Sequence, residues 1–301
     1  MSTGLGDVGD TMQTESYPER MSVDHVQVSR RREVAAEVAA VYRRFPQACG
    51  ILAWGSTAAG GADSCSDVDI GVYSSGPIPT EDERRRALSG LADDPGSAGM
   101  GRFGDLQGCE KFSVRGLPVF VGWWLLDEER SNLQRKLSRL LDTLDDAKAE
   151  NELGEIQRAI VLWDPQRLIA GLQGLIAGWF RTGAKADLIF ERLNRAEYEI
   201  RQHLPRGLAI GDVVWAEESR RNALNELIRA LYYLNDRFLR RLKGIDLEVE
   251  GFGSQPTKFI PRVRTIAVSD LRASLPLLRE LVDDITRMAD SLLKDRQPPN
   301  G

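Results

Sequence analysis

Gly55-Ser56-Thr57-Ala58-Ala59-Gly60-Gly61-Ala62-Asp63-Ser64-Cys65-Ser66-Asp67-Val68-Asp69-Ile70 is the stretch on which the fold turns. An apolar run, Cys49 to Trp54, leads into Gly55-Ser56. A loop of small residues follows, and Asp67-Val68-Asp69-Ile70-Gly71-Val72-Tyr73 resumes the apolar pattern. Alternation along a strand puts Asp67 and Asp69 on one face. Two neighbouring carboxylates repel unless a cation lies between them, and a divalent metal is the usual solution. Gly55 offers unhindered backbone and Ser56 a hydroxyl, a pairing suited to phosphate oxygens. A phosphate cradle beside metal-binding carboxylates is the equipment of phosphoryl or nucleotidyl transfer. A polar β-hairpin with surface aspartates is the plainer alternative.

Working outward, Val26 to Phe45 reads as a helix with Val34, Val38, Val41 and Tyr42 on one stripe, ended by Pro46. Thr80 and Glu83 form a capping box for a helix over about 81–92. The Gly- and Asp-rich segment 93–108 reads as a surface loop. Residues 111–114 and 117–124 read as two strands joined at Arg115-Gly116, with a long helix from Asp127 to about Ala149 after them. Ala159 to Trp163 reads as an apolar strand stopped by Asp164-Pro165. From there on the pattern is helical, through 166–180, 184–203, 212–243 and 269–294. The order predicts an α+β chain: a polar tail over 1–25, a mixed-sheet domain over 26–180, and an α-helical bundle domain over 181–301.

Composition sets the bounds. The 301 residues suffice for two domains, and 42% hydrophobic with 28% charged residues is ordinary for a soluble globular protein. A net charge of −5 argues against broad binding to nucleic acid, which relies on excess Lys and Arg at phosphates. Cys49, Cys65 and Cys109 are odd in number and contain no Cys-x-x-Cys pair. That fits reduced thiols in a cytoplasm better than a disulfide framework or a zinc site. No run of about eighteen apolar residues occurs, so no membrane span is expected. The polar N-terminus lacks the pattern of a signal peptide.

The stretch 55–70 resembles the signature of the DNA polymerase β-like nucleotidyltransferase superfamily: a Gly-Ser pair, a loop of about this length, then Asp-x-Asp ending in an aliphatic residue. Within the superfamily the chain looks like bacterial nucleotidyltransferases related to aminoglycoside-modifying enzymes. In those, a helix, a β-hairpin, a strand ending in an Asp-Pro turn (here Asp164-Pro165) and a helical C-terminal domain follow the Asp-x-Asp strand. The likeness is closest over the signature, looser over 109–170 and loosest in the helical part. It implies that Asp67 and Asp69 hold Mg²⁺, and that Gly55, Ser56 and Ser66 contact a nucleoside triphosphate, with ATP the expected co-substrate. It also implies that Asn235, read as lying on a helix, and Lys243 reach the nucleotide from the C-terminal domain. The implied reaction moves a nucleoside monophosphate to the hydroxyl of a small acceptor, such as an aminoglycoside-like molecule.

The chain departs from the family at one position. A third acidic residue is usual on a later strand, beside the Asp-x-Asp pair, and register with the family puts Phe120 there. Phenylalanine neither binds Mg²⁺ nor accepts a proton. Three readings stay open. The register is different; another acid supplies the role, with Glu110 first and Asp105 or Glu217 behind it; or the chain binds nucleotide or a partner without efficient turnover. Losing a general base costs about 10²–10⁴ in rate, so a slow enzyme survives the loss. A toxin–antitoxin type transferase acting on protein or RNA would use the same residues.

Other polar residues have plainer readings. His203, before Pro205, reads as a helix C-terminal residue, and His25 as solvated. Only one of Trp123 and Trp124 can face a cleft. Arg240, Arg241 and Lys243 read by default as a solvated helix face.

Overall fold

The computed structural model describes residues 24–101, 108–144 and 147–294. The expected tail falls, through residue 23, outside the described residues, as does Asp105. The elements run α1 (His25–Tyr42), β1 (Ala48–Ala53), α2 (Gly55–Ala59), β2 (Val68–Ser74), α3 (Glu81–Ala87), β3 (Gly99–Gly101), β4 (Gly108–Val114), β5 (Leu117–Leu125), α4 (Leu126–Ser138), α5 (Ala147–Arg158) and β6 (Ile160–Trp163). Helices follow: α6 (Leu168–Trp179), α7 (Ala184–Tyr198), α8 (Leu204–Ile210), α9 (Val213–Leu234), α10 (Ile245–Val249), α11 (Phe259–Val268) and α12 (Leu271–Lys294). The architecture is α+β, as the sequence predicts: a six-stranded mixed sheet, then a helical C-terminal region. No described helix is long and apolar enough to cross a membrane.

The strand order is β3-β4-β5-β2-β1-β6. β2 and β5 are parallel, and the other pairs are antiparallel. β1 lies inside the sheet and is buried along its whole length, which is why Ala48 to Ala53 is continuously apolar. Alternation sends the strand side chains to two cores. On one face Ile51, Ile70, Val72, Val121 and Trp123 meet Val34, Val38 and Tyr42 of α1. On the other, Leu52 and Tyr73 join a core that continues through α4, α5 and α6 into α7, α9 and α12. The two tryptophans divide accordingly. Trp123 packs against Tyr42 and Phe45, and Trp124 packs edge-on to Trp54 at 4.8 Å between centroids.

Helix ends follow local chemistry. Asp24 caps α1 by accepting from the Val26 and Gln27 N–H groups at 3.1 Å. The Thr80–Glu83 capping box forms as expected, though α3 gives way to a 3₁₀ turn after Ala87. Four expectations are corrected. Segment 93–108 contributes the edge strand β3. The helix expected over 127–149 is two helices, α4 and α5, and the chain between them buries Leu140 and Leu144. His203 does not end a helix. A π turn over Glu199–His203 carries the chain past Pro205 into α8, and absorbs the missing N–H there. Most consequentially, the helix expected over 212–243 stops at Leu234. Asp236 takes a left-handed φ of 55°, its N–H donates to the Tyr233 carbonyl, and the Arg237 N–H donates to the Tyr232 carbonyl, both at 3.0 Å. This is a Schellman ending with Asp in the usual glycine place.

Candidate active site

β1 delivers Trp54 in extended conformation, and the chain turns sharply at Gly55, whose φ is +66°. Only glycine adopts this freely. It is also required by contact, because a Cβ on Gly55 would overlap Asp69 Oδ2. Asp69 is the second residue of β2, on the sheet face that looks away from α1. Asp67 precedes β2 by one residue and is exposed. Among the described residues neither carboxylate has a hydrogen bond or an ion pair. Burial first, then Asp67 and Glu155, push the Asp69 carboxyl up to about 7, against the pull of Arg241 and Arg240.

Both backbone groups of Gly55 are engaged. Its N–H donates to Glu155 Oε2 at 3.0 Å, and its carbonyl accepts from Arg240 Nη1. Arg240 also meets Glu155 Oε2 at 3.5 Å and Glu248 Oε1 at 3.1 Å. Beside α2 lies a cleft of about 240 Å³ lined by Glu155, Arg158, Arg237, Arg240 and Glu248. Arg158 pairs with Glu248, which also accepts from the Tyr232 hydroxyl at 2.7 Å. Arg237 lies 5.2 Å from the centre of the Phe252 ring. The segment after α9 therefore reaches the Gly-Ser turn through Arg240.

The loop between α2 and β2 is held from two sides. Ser66 Oγ donates to Asp63 Oδ1 at 2.8 Å and accepts from the Asp63 N–H at 3.0 Å. Arg31 of α1, fully buried, donates to the Ser66 carbonyl through Nε at 2.9 Å and Nη2 at 2.7 Å. Lys243 Nζ meets Asp63 Oδ2 at 3.2 Å, and both side chains are about half exposed. The Ser66 hydroxyl and then Lys243 hold the Asp63 carboxyl down at about 2. Ser66 and Lys243 thus act within this loop and its anchor. Ser56 is buried in the turn.

Two expected site residues are engaged elsewhere. Asn235 is not on a helix but at the end of α9. Its amide donates to the Leu231 carbonyl at 2.9 Å and the Ser254 carbonyl at 2.7 Å, and its Oδ1 accepts from the Ser254 N–H at 3.0 Å. These bonds tie two chain segments together and leave no donor for a nucleotide. Glu110 is in register with Val121, and Val121 with Ile70. That register sets Glu110 on the α1 face, opposite to Asp69. It is fully buried, ion-paired to Arg84 Nε, and accepts from the Tyr42 hydroxyl at 3.2 Å. Burial lifts its carboxyl to about 7, opposed mainly by Arg84. It cannot serve as the third acid of the Asp67–Asp69 site. Glu217 pairs with Arg220 at 2.6 Å, whose guanidinium holds the Ser269 carbonyl at the end of α11. Phe120 is in register with Asp69, on the same face.

The residues missed in the sequence are Glu155, Arg240 and Arg241. Arg240 and Arg241 carried a signal, the basic run 237–243, which reads as solvated only if the helix continues. Glu155 carried none, being one of several acids on a polar-apolar helix.

No family model matches the chain, and no curated protein matches it. Among solved structures it is similar to a nucleotidyltransferase-like protein from Exiguobacterium sibiricum 255-15. That likeness has 11% identity and a TM-score of 0.37, over 86% of this chain and 74% of that one.

Proposed function

We propose that this chain is a Mg²⁺-dependent nucleotidyltransferase that moves a nucleoside monophosphate from a nucleoside triphosphate, ATP by expectation, to a hydroxyl acceptor. The observation that carries the reading is Asp69, whose carboxylate lies against Gly55 and feels the charge of the exposed Asp67, neither carboxylate having a hydrogen bond or ion pair among the described residues. A largely buried carboxylate beside another, with no ion pair among the described residues and only the more distant charges of Arg241 and Arg240 to offset it, is expensive unless it has a function. The donor set is hard oxygen, which suits Mg²⁺ completed by water and substrate phosphates. It is a pair rather than a cage: no group of three or more His, Cys, Asp or Glu among the described residues is placed to hold a metal. When bound, the ion would supply charge neutralisation at the phosphates and a lower pKa at the acceptor hydroxyl.

The chain's own residues do the rest. Asp67 and Asp69 would hold the ion. Gly55, with no side chain in the way, and the Ser56 hydroxyl would line the place of the phosphate oxygens, the Gly55 N–H itself being held by Glu155. Arg241, whose charge acts on Asp69 and whose buried Nε has no partner among the described residues, offers a cation for the phosphates from the C-terminal region. Positioning and charge stabilisation account for most of the rate in such transfers. A small hydroxylated acceptor, aminoglycoside-like in the family the signature resembles, is the preferred second substrate, and a cytoplasmic setting suits the three free cysteines.

Phe120, in register with Asp69, favours a second reading, a nucleotide-binding or regulatory protein with little turnover. Incubating the full chain with Mg²⁺ and each labelled nucleoside triphosphate, with and without hydroxylated acceptors, separates the two. Transfer that disappears in Asp67→Asn and in Asp69→Asn supports the enzyme. Mg²⁺-dependent binding without transfer supports the second reading. Wild-type Mg²⁺–nucleotide affinity in the double variant would defeat the metal site at Asp67 and Asp69, and with it the enzyme reading.

A further inference from the structure

Gly55, Glu155 and Arg240 form a closed ring. The Gly55 N–H donates to Glu155 at 3.0 Å, Glu155 meets Arg240 at 3.5 Å, and Arg240 returns to the Gly55 carbonyl. The three residues come from three separate parts of the chain: the turn after β1, helix α5, and the segment after α9. Arg240 is 3% exposed. Its guanidinium fork spends Nη1 on Gly55 and Glu155, and Nη2 on Glu248. A lysine, with one nitrogen at a single point, could not span those three partners. The segment that carries Arg240 is itself fixed by the Schellman ending at Asp236, by the burial of Phe238 and Leu239, and by the Gln157 Oε1 bond to the Phe238 N–H at 3.0 Å.

We infer that Arg240 is a positioning residue for the Gly55-Ser56 turn, with Glu155 as its counter-ion, so that the geometry of the triphosphate site depends on the C-terminal region. This rests on the nucleotidyltransferase reading above. Gly55 touches Asp69, so a turn held at both its N–H and its carbonyl also holds the wall against which that carboxylate lies. The two partners act oppositely on an incoming anion. Arg240 holds the turn and adds positive charge. Glu155 occupies the Gly55 N–H with a negative charge beside the place where phosphate would sit.

The test is binding of inorganic tripolyphosphate to the full chain by calorimetry, alongside thermal unfolding, for wild type, Arg240→Gln, Arg240→Lys and Glu155→Gln. Gln at 155 keeps an acceptor for the Gly55 N–H and removes the charge, so its affinity should rise severalfold. Arg240→Gln should weaken binding about tenfold or more. Arg240→Lys retains the charge and a folded chain but loses the span, and should stay weakened. A purely structural pair would lower affinity in all variants together, following stability. Wild-type affinity in Arg240→Lys, or a loss in Glu155→Gln equal to that in Arg240→Gln, overturns the inference and leaves the nucleotidyltransferase reading standing. Failure of the wild type to bind either tripolyphosphate or Mg²⁺–nucleotide removes both.

Discussion

Phe120 is the in-register neighbour of Asp69 across the parallel β2–β5 ladder, and Lys111 is the next neighbour beyond it, its ammonium 5.8 Å from the ring centre. Phe120→Asp would therefore set a third carboxylate between Asp69 and a lysine, on the proposed metal-binding face. The cost is lost apolar packing at a half-buried site, about 1–2 kcal/mol, plus repulsion that a bound cation offsets. Mg²⁺ affinity measured by calorimetry should rise severalfold in Phe120→Asp and not in Phe120→Asn. Equal gains in both would trace the effect to relieved packing rather than charge.

Gly55→Ala tests the other wall of the site. The substitution puts a methyl into Asp69 Oδ2 and holds a non-glycine residue at φ +66°. A left-handed alanine costs roughly 1–2 kcal/mol, and the overlap adds to it by displacing Asp69. The melting temperature should fall by several degrees, and Mg²⁺–triphosphate binding should be lost out of proportion to stability. Gly60, also left-handed at φ +72° but with open space around its missing Cβ, supplies the control. Gly60→Ala should cost only the backbone strain and keep the binding.

What the sequence discloses here is what local periodicity encodes. The β1–turn–β2 unit and the Thr80 capping box depend on neighbours within a few residues. Strand pairing is not local. Whether Glu110 or Lys111 shares a face with Asp69 depends on the register of β4 against β5. A slip of one residue exchanges the two faces, so Glu110 could not be assigned from the chain alone. The end of α9 was hidden for a different reason. Asn-Asp at 235–236 can continue a helix or terminate it, and the choice is made by burying Phe238 and Leu239 in the core. With the helix ended, Arg240 turns from an expected solvated residue into one buried at Gly55.

Glu110→Gln should behave as a core substitution and not as an active-site one. It removes the partner of Arg84, which is buried and also donates to the Pro79 carbonyl at 2.9 Å. Breaking one side of a buried ion pair costs about 3–5 kcal/mol. The variant should unfold at markedly lower denaturant concentration. Mg²⁺ affinity measured under conditions where it remains folded should match wild type within about twofold. A selective loss of metal binding, with stability intact, would return Glu110 to the site.

The Asp69 carboxyl gives the metal-free protein a specific pH dependence. Its ordinary value is 3.8, and in the folded chain it is raised to about 7. Between those values the folded protein holds a proton that the unfolded chain has released, so unfolding releases it. Stability must then fall as pH rises from about 4 to about 7, and stay lowered above that. The full effect of such a shift is on the order of 4 kcal/mol at most. Asp69→Asn removes it. In chelator, the variant should match wild type near pH 4 and exceed it in melting temperature near pH 8. Glu110 titrates in the same window but is common to both proteins, so it cancels in the difference. Adding Mg²⁺ at pH 8 should raise the wild type toward the variant and leave the variant unmoved. Parallel melting curves for the two proteins across pH 4 to 8 would mean that Asp69 ionises freely in the fold, and that the cost argued for a cation at this pair does not exist.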